Sequence, residues 1–381
     1  MIYLDNAATT KTAPEVLEVM MPYLMDEFGN ASALYGPGTR GKKAVNEAKR
    51  RIAETIGASM EEIYFTSGGT ESDNWAIKGV AEACREKGRH IVTTRIEHHA
   101  VLHTCEYLEK QGYEVTYLEV DGEGRVSTEA VRRAIRSDTI LISVMFANNE
   151  IGTIQPIKEI GAIAKEENIL FHTDAVQAYG PLEIQVDELG IDLLSASGHK
   201  IGGPKGVGFL YVRNGVKTES LLHGGMQERG RRAGTENVPA IAGMAEAARL
   251  WQENRREWVA EESRLRDYLE KKIRETIPGC RINGAGGEGR LPGHLNMSFP
   301  GIEGESLLIM LDMKGICASS GSACTAGATE PSHVLTAIGL GAGEANGSLR
   351  LTVSPCNTMD EMDETAEVLR EIVERLRSFR L

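Results

Sequence analysis

The sequence predicts an α/β protein, with a large unit built on a mostly parallel sheet and a smaller α/β unit after it. Three observations carry this. Between about residues 60 and 215, short β-rich runs alternate with longer helical patterns, the rhythm of strand–helix–strand crossovers. Several of those runs are apolar throughout, as expected of strands covered by helices on both faces. Beyond residue 255 the rhythm gives way to long amphipathic patterns separated by short strands.

In chain order the strand candidates are residues 63–66, 90–94, 115–118, 140–146, 169–174, 193–197 and 207–212, which makes seven strands for one sheet. Ligands of such sheets gather outside the carboxyl ends of the strands, so the polar residues that follow each strand are the first candidates for chemistry. The second unit opens with Leu265, Leu269, Ile273 and Ile277, an apolar repeat at every fourth position that Pro278 ends. Strands near Arg281 and over 295–299 follow, then a helix over 303–313. The last helix opens with the capping box Thr358-x-x-Glu361 and carries Met362, Ala366, Leu369, Val373 and Leu376 on one face. The expected division is residues 15–255 for the large domain, with 1–14 and 256–381 forming the small one. No repeat or Pro-rich linker separates them, so they should pack closely.

Length and charge narrow the function. At roughly 150 residues per domain, 381 residues give two or three compact units. A net charge of −13 repels phosphate backbones and anionic lipid, so nucleic acid is not an expected partner. The longest apolar stretch, 139–147, is about half of what a bilayer requires, and no membrane association is expected. The start Met1-Ile2-Tyr3-Leu4-Asp5 lacks a basic, then apolar, leader, and the expected location is cytoplasmic. None of the six cysteines forms a C-x-x-C pair, which disfavours a zinc ribbon or a redox dithiol. Cys84 and Cys105 lie in helical patterns and read as core; Cys280, Cys317 and Cys356 read as structural.

Three motifs are decoys. Gly284-Ala285-Gly286-Gly287-Glu288-Gly289 fits a dinucleotide fingerprint, but Leu291-Pro292-Gly293 follows where a helix should start. Gly36 to Lys43 nearly makes a P-loop, yet Lys43 stands where Ser or Thr must meet magnesium. His99 and His103 share a helix face beside His98, without an acid or thiol at ligand spacing, so no metal is expected.

Four elements hold the informative chemistry. Ser67-Gly68-Gly69-Thr70-Glu71 follows the first strand of the sheet; it suits a phosphate at a helix N-terminus and equally suits an ordinary helix start. Asp174 ends an apolar strand, where a carboxylate needs a cation, either a ligand's or a structural ion pair's. Ser197-Gly198-His199-Lys200 places a lysine beside Ser and His among glycines, which is what covalent attachment of a phosphorylated aldehyde requires. Phosphate turn, strand-end acid and strand-end lysine, in that order, match the parts of a pyridoxal phosphate site. Cys324 lies in Ser319-Ser320-Gly321-Ser322-Ala323-Cys324-Thr325-Ala326-Gly327, where small neighbours favour an accessible thiol, reactive or inert.

With these blocks, the sequence resembles the pyridoxal-phosphate cysteine desulfurases of the NifS/IscS type, within the class V aminotransferases. The resemblance runs from Tyr3-Leu4-Asp5-Asn6-Ala7-Ala8-Thr9-Thr10 to Ser348-Leu349-Arg350 and includes Phe65 to Ser72, Glu97-His98, Asn148-Asn149-Glu150-Ile151-Gly152, Asp174 with Gln177, and Gly234-Thr235. It implies the fold type I architecture of pyridoxal-phosphate transferases and a homodimer. By resemblance, Lys200 holds the cofactor and moves protons, Asp174 pairs with its ring nitrogen, His98 stacks on the ring and Gln177 meets the ring hydroxyl. Gly69, Thr70, Ser197 and His199 bind the phosphate, with Thr235 reaching the phosphate of the other subunit. Asn149 and Arg350 hold the carboxylate of L-cysteine. Cys324 is the persulfide-forming nucleophile, in a setting that resembles the long-loop branch.

The implied reaction turns L-cysteine into L-alanine and hands sulfur to an acceptor or scaffold for iron–sulfur cluster assembly. Two departures stand out: Tyr35 where the family often has His, and Ser354-Pro355 where it usually continues with Gly-Arg. The run Glu228-Arg229-Gly230-Arg231-Arg232 reads by default as a solvated charge cluster. The alternatives are another fold type I enzyme, such as an aminotransferase or selenocysteine lyase, and a non-catalytic persulfide carrier or scaffold.

Overall fold

The computed structural model describes residues 1–320 and 331–378. The chain opens with a two-residue strand, β1 (Ile2–Tyr3), and two helices, α1 (Pro14–Met25) and α2 (Gly36–Thr55). The central sheet then forms from β2 (Ile63–Thr66), β3 (His90–Thr94), β4 (Glu114–Leu118), β5 (Thr139–Ser143), β6 (Leu170–Asp174), β7 (Leu193–Ser197) and β8 (Gly208–Val212). Between them lie α3 (Gly69–Ala83), α4 (His99–Glu109), α5 (Thr128–Ala134) and α6 (Ile157–Glu166).

The strand order is β2-β8-β7-β6-β5-β3-β4, and every neighbouring pair is parallel except the two that involve β8. That exception has a simple cause. Residues 198–207 between β7 and β8 are too few for a crossover helix, so the chain returns as an antiparallel neighbour. The seven strands are those expected, with ends that agree to within one residue except one: the run 140–146 stops as a strand at Ser143. Val144 and Phe146 still donate to the carbonyls of His172 and Asp174, at 3.1 and 2.8 Å, so the run keeps its partner in looser geometry.

The second unit contains β9 (Arg281–Ile282), β10 (His294–Ser298) and β12 (Ser348–Thr352) in an antiparallel sheet, with β11 (Ile316–Cys317) paired to β1. Helices α8 (Gly304–Met313), α9 (His333–Ala337), α10 (Ala342–Asn346) and α11 (Met359–Ser378) complete it. The capping box at the start of α11 forms as expected: Glu361 N–H donates to Thr358 Oγ1 at 3.3 Å and Thr358 N–H to Glu361 Oε2 at 3.0 Å. Met362, Ala366, Leu369 and Val373 are buried in one cluster with Leu295, Leu349 and Leu265.

The two units share one helix. α7 (Val238–Thr276) runs unbroken through residue 255; Met244 and Trp251 in its first half pack in the large core, while Leu265, Leu269 and Ile273 pack in the small one. A separate apolar cluster joins Ile96, Met145 and Ile151 at the strand ends to Val334, Leu335 and Ile338 of α9 and its exit, fastening α9 directly to the large unit. Among the described residues no helix is long and apolar enough to cross a membrane.

Helix α6 approaches the turn before β7 so closely that Gly161 has no room for a side chain: a Cβ there would collide with the Leu189 carbonyl oxygen. Alanine gains about 1 kcal/mol of helix propensity over glycine, whereas overpacking costs about 1–3 kcal/mol, and here the obstacle is backbone that cannot rotate away. Gly161→Ala is therefore expected to lower the urea midpoint with an unchanged m-value; an equal or higher midpoint would show that α6 can move off the sheet at little cost.

Candidate active site

The carboxyl ends of β2, β3, β6 and β7 all open on one edge of the sheet, and the polar residues that follow them converge there. After β2 the chain turns through Gly68, whose φ of +151° only glycine adopts readily, and α3 begins at Gly69 without a side-chain cap. The first-turn N–H groups therefore point, uncapped by any side chain, toward the same edge. A Cβ on Gly69 would meet Val176 Cγ2 at 2.5 Å, so this cradle exists only with glycine. Thr70 is exposed in that turn, and the buried Ser197 hydroxyl faces it, 3.6 Å from where a Gly68 Cβ would stand.

The end of β7 supplies Lys200 on a single 3₁₀ turn, Gly198–Lys200. Its Nζ donates to the carbonyl oxygens of Ala7 and Ala8 at 2.5 and 2.9 Å, and Gln177 Nε2 donates to Ala7 at 3.0 Å. His199 Nδ1 meets Thr9 Oγ1 at 3.2 Å; burial and then the neighbouring lysines hold this imidazole down at about 4.

Asp174 ends β6 and is 6% exposed. Burial pushes its carboxyl up to about 6, against a 2.9 Å hydrogen bond from Val176 N–H and the charge of Lys200, both of which favour ionisation. His98 caps α4, its Nδ1 accepting from Ala100 N–H at 3.1 Å, so a proton on the neutral ring belongs on Nε2. Burial first, then Lys200 and the neighbouring histidines, push it down to about 4, which keeps it neutral at physiological pH. His98, Asp174 and Asp73 each offer an atom within 4.8 Å of the others; it is the one group among the described residues whose spacing could hold a metal ion.

A second focus lies where the two units meet. Arg350 on β12 is buried; its Nη2 donates to Asp5 Oδ1 at 2.8 Å, its Nη1 to the Asn149 carbonyl at 3.0 Å, and its Nε has no partner among the described residues. Beside Asn149, the buried Glu150 carboxylate accepts from Ser332 Oγ at 2.5 Å, immediately before α9.

The expected residues thus divide clearly. Gly69, Thr70, His98, Asp174, Gln177, Ser197, His199 and Lys200 line one edge, and Asn149 and Arg350 meet each other beside it. Thr235 lies exposed in the loop before α7, apart from these contacts. Cys324 lies outside the described residues. The Glu228 run differs from its expected solvation: Glu228 is buried and ion-paired with Lys49, Arg232 holds Glu71 at 2.8 Å, and Arg229 lies over the Tyr64 ring at 4.2 Å. Charges in this run have partners within the fold, which a one-dimensional charge pattern cannot reveal. Cys84 is half-buried and Cys356 exposed, so neither matches the core or structural setting expected of it as closely as the fully buried Cys105 does. Tyr35 is exposed at the start of α2.

Sequence reasoning left Asp5 and the Ala7–Ala8 carbonyls without roles; an acid at position 5 is visible, but its partner 345 residues away is not. A cavity of about 570 Å³ opens at the opposite edge, lined by Cys84, Lys87, Asn168 and Arg213, and contains none of these residues.

Comparison with known proteins agrees with the geometry. The "Aminotransferase class-V" family pattern matches residues 2–364. The chain belongs to that family. A relative from Methanosarcina thermophila, "Cysteine desulfurase IscS", is 56% identical over 99% of this chain and 93% of its own length. Among solved structures, a "NifS-like protein" superposes with a TM-score of 0.93 at 39% identity, covering 98% of this chain and 99% of that one. "SspA in complex with cysteine" superposes with a TM-score of 0.83 at 40% identity, covering 94% and 100%. The site also fits the pyridoxal phosphate on which such enzymes depend: a cradle that any Cβ would fill, an uncapped helix start, a primary amine and a buried carboxyl share one edge.

Gly208 of β8 underlies this cradle. A Cβ there would stand 2.7 Å from Gly68 Cα and collide with the Ala196 carbonyl oxygen. Gly208→Ala is expected to cost about 1–3 kcal/mol of stability and to weaken pyridoxal phosphate binding about tenfold or more by displacing the turn. Unaltered affinity in an equilibrium titration followed by visible absorbance would mean that the Gly68 turn does not hold the phosphate.

Proposed function

We propose that this chain is a pyridoxal-phosphate cysteine desulfurase that converts L-cysteine to L-alanine and collects the sulfur on Cys324 as a persulfide. The observation that carries the proposal is the convergence of a strand-end lysine, a buried strand-end carboxyl and a neutral imidazole on one edge of the sheet, in a chain closely similar to proteins of that name. Pyridoxal phosphate supplies an electron sink conjugated to the substrate amine.

The chain's own residues do the rest. Asp174, as a carboxylate, would hold the cofactor's ring nitrogen and favour its protonation, and the neutral His98 could face the ring without repelling that charge. Gln177 orients the ring hydroxyl. The N–H groups of the Gly69 turn, with Thr70, Ser197 and His199, bind the phosphate. Lys200 is the amine that would hold the cofactor's aldehyde group, and it would serve as the base for the proton at the substrate Cα. Arg350 and Asn149 take the substrate carboxylate, for which Arg350 Nε, without a partner among the described residues, is available. The Cys324 thiolate takes the substrate sulfur; an S–S bond forms as the C–S bond breaks, and alanine leaves after proton return.

The working unit is a homodimer. Leu24, Met25, Phe28 and Leu34 are exposed on α1 and the chain after it, an apolar surface that a second copy would cover, and Thr235 stands outward where it can serve a neighbouring subunit. The large domain spans residues 15–255, with residues 1–14 and 256–381 as the small one. The persulfide goes to an acceptor protein in the cytoplasm for iron–sulfur cluster assembly.

Single-turnover reaction with L-cysteine in the absence of reductant tests the proposal. The expected result is one alanine per loaded site and a one-sulfur mass gain on the Cys324 peptide; alanine without that gain would remove Cys324 from the mechanism. Cys324→Ser should keep the visible cofactor band and lose sulfide production. Arg350→Lys should raise KM for L-cysteine about 10- to 100-fold, because an ammonium cannot reproduce the planar fork; an unchanged KM would place the substrate carboxylate elsewhere.

A further inference from the structure

One carboxyl beneath the ring pocket has no part in that mechanism. Asp73, in the second turn of α3, is 1% exposed, and its Oδ1 has no hydrogen-bond partner among the described residues. An oxygen of this carboxyl lies within 4.8 Å of an Asp174 oxygen and of a His98 ring nitrogen.

The groups that face Asp73 from the surrounding elements give it no cation. From β6, His172 Nε2 stands 3.6 Å from Asp73 Oδ1, but that nitrogen is engaged by Ser195 Oγ at 3.0 Å, and Nδ1 by Ser143 Oγ at 2.9 Å. Burial pushes the His172 ring down to about 3, so it is neutral. From β7, Ser195 adds only a hydroxyl. From the end of β3 comes Glu97, a third buried acid, pushed up to about 8 by desolvation despite hydrogen bonds from Thr94 and Met145 N–H. His98 is neutral, and Lys200 acts on Asp174. Burial, then the Asp174 charge, raise the Asp73 carboxyl well above the usual range, and Ser195 pulls the other way. Two carboxyls this close in a desolvated pocket do not both ionise; the pair carries a proton.

We propose that Asp73 is a positioning residue that holds one proton beneath the ring pocket, so that Asp174 stands there as the single carboxylate and takes the cofactor's ring nitrogen. The inference rests on the reading of Asp174 as the partner of that nitrogen. Charge then balances: Asp174 offsets the protonated ring, whereas an ionised Asp73 would leave one buried negative charge unmatched.

The test uses full-length protein loaded with pyridoxal phosphate. Asp73→Asn fixes the position neutral, Asp73→Ala removes its polar atoms, and Asp73→Ser is a second neutral polar variant should the Asn variant not fold. The readouts are the pH titration of the visible band, the Tm as a function of pH, and kcat and KM separately. A carboxyl raised in the folded state makes wild type lose stability as pH climbs above the ordinary aspartate range through the raised value, and the neutral variant escapes this loss.

The Tm of Asp73→Asn minus that of wild type is thus expected to grow as pH rises above the ordinary aspartate range, with the band titration unmoved and kcat within about threefold of wild type. Asp73→Ala should lower kcat about tenfold at nearly constant KM, and Asn should restore it. A Tm difference that stays flat or shrinks with pH, a band titration displaced by about one unit or more in the Asn variant, or full kcat in the Ala variant would each overturn the proposal. If wild type shows no visible band, the cofactor reading fails, and the Tm difference still decides whether Asp73 carries the proton.

Discussion

Burying Asp174 at the end of β6 is the constraint around which the rest of the site is arranged. A carboxylate taken out of water is costly unless a cation or several donors meet it, and this one has a single backbone N–H and the field of Lys200. The parallel sheet makes the placement possible, because β6 and β7 are in register with Asp174 opposite Ser195, so the turn after β7 delivers Lys200 to the same edge. Had β7 and β8 been joined by a crossover helix, Lys200 would have had no short hairpin to stand on. An unmatched buried charge of this kind is destabilising by itself and is relieved by any cation brought to the same edge.

The N-terminal segment ties that arrangement to the second unit. Residues 5–10 pass between the domains, and their groups are used at each step: Asp5 holds Arg350, the Ala7 and Ala8 carbonyls hold Lys200, Ala7 also holds Gln177, and Thr9 meets His199. Backbone carbonyls suit this task better than side chains, since they accept from an ammonium without fixing its charge partner and have no rotamer to lose. The strap is held in turn by Thr352, whose carbonyl accepts from Asn6 Nδ2 at 2.7 Å and whose Oγ1 accepts from Ala7 N–H at 2.9 Å.

The fold was legible because its strongest signals are local. Runs such as His90–Thr94 and Leu193–Ser197 are buried at every position, so their periodicity was as readable as their length. The capping box of α11 is a four-residue pattern and needs no tertiary context. What stayed illegible depends on distant partners. The 39-residue α7 changes its buried face midway, from the large core to the small one, which blurs the apolar repeat near residue 255. Glu228 reads as solvated until Lys49, 179 residues away, is seen against it. At the site, the strand-end residues could be picked out by position, whereas Asp73 and Glu97 could not, because a buried acid on a helix or loop has no pattern that separates it from an exposed one.

Arg350 shows how the fold orients a buried guanidinium. Its guanidinium is buried, with one nitrogen on Asp5 and a second on the Asn149 carbonyl, so its plane is fixed before any substrate arrives. The backbone that carries Arg350 is held in β12 by pairing with Asn296 and with Ser319, and the ion pair to Asp5 then sets the direction of the side chain. A compact ammonium at this position would lack the rigid planar fork that reaches Asp5 and the Asn149 carbonyl from two separate nitrogens while turning a third donor elsewhere. Its Nε has no partner among the described residues, and a planar cation with two of its nitrogens anchored and a third donor unmatched is incomplete in a way that a carboxylate oxygen can satisfy.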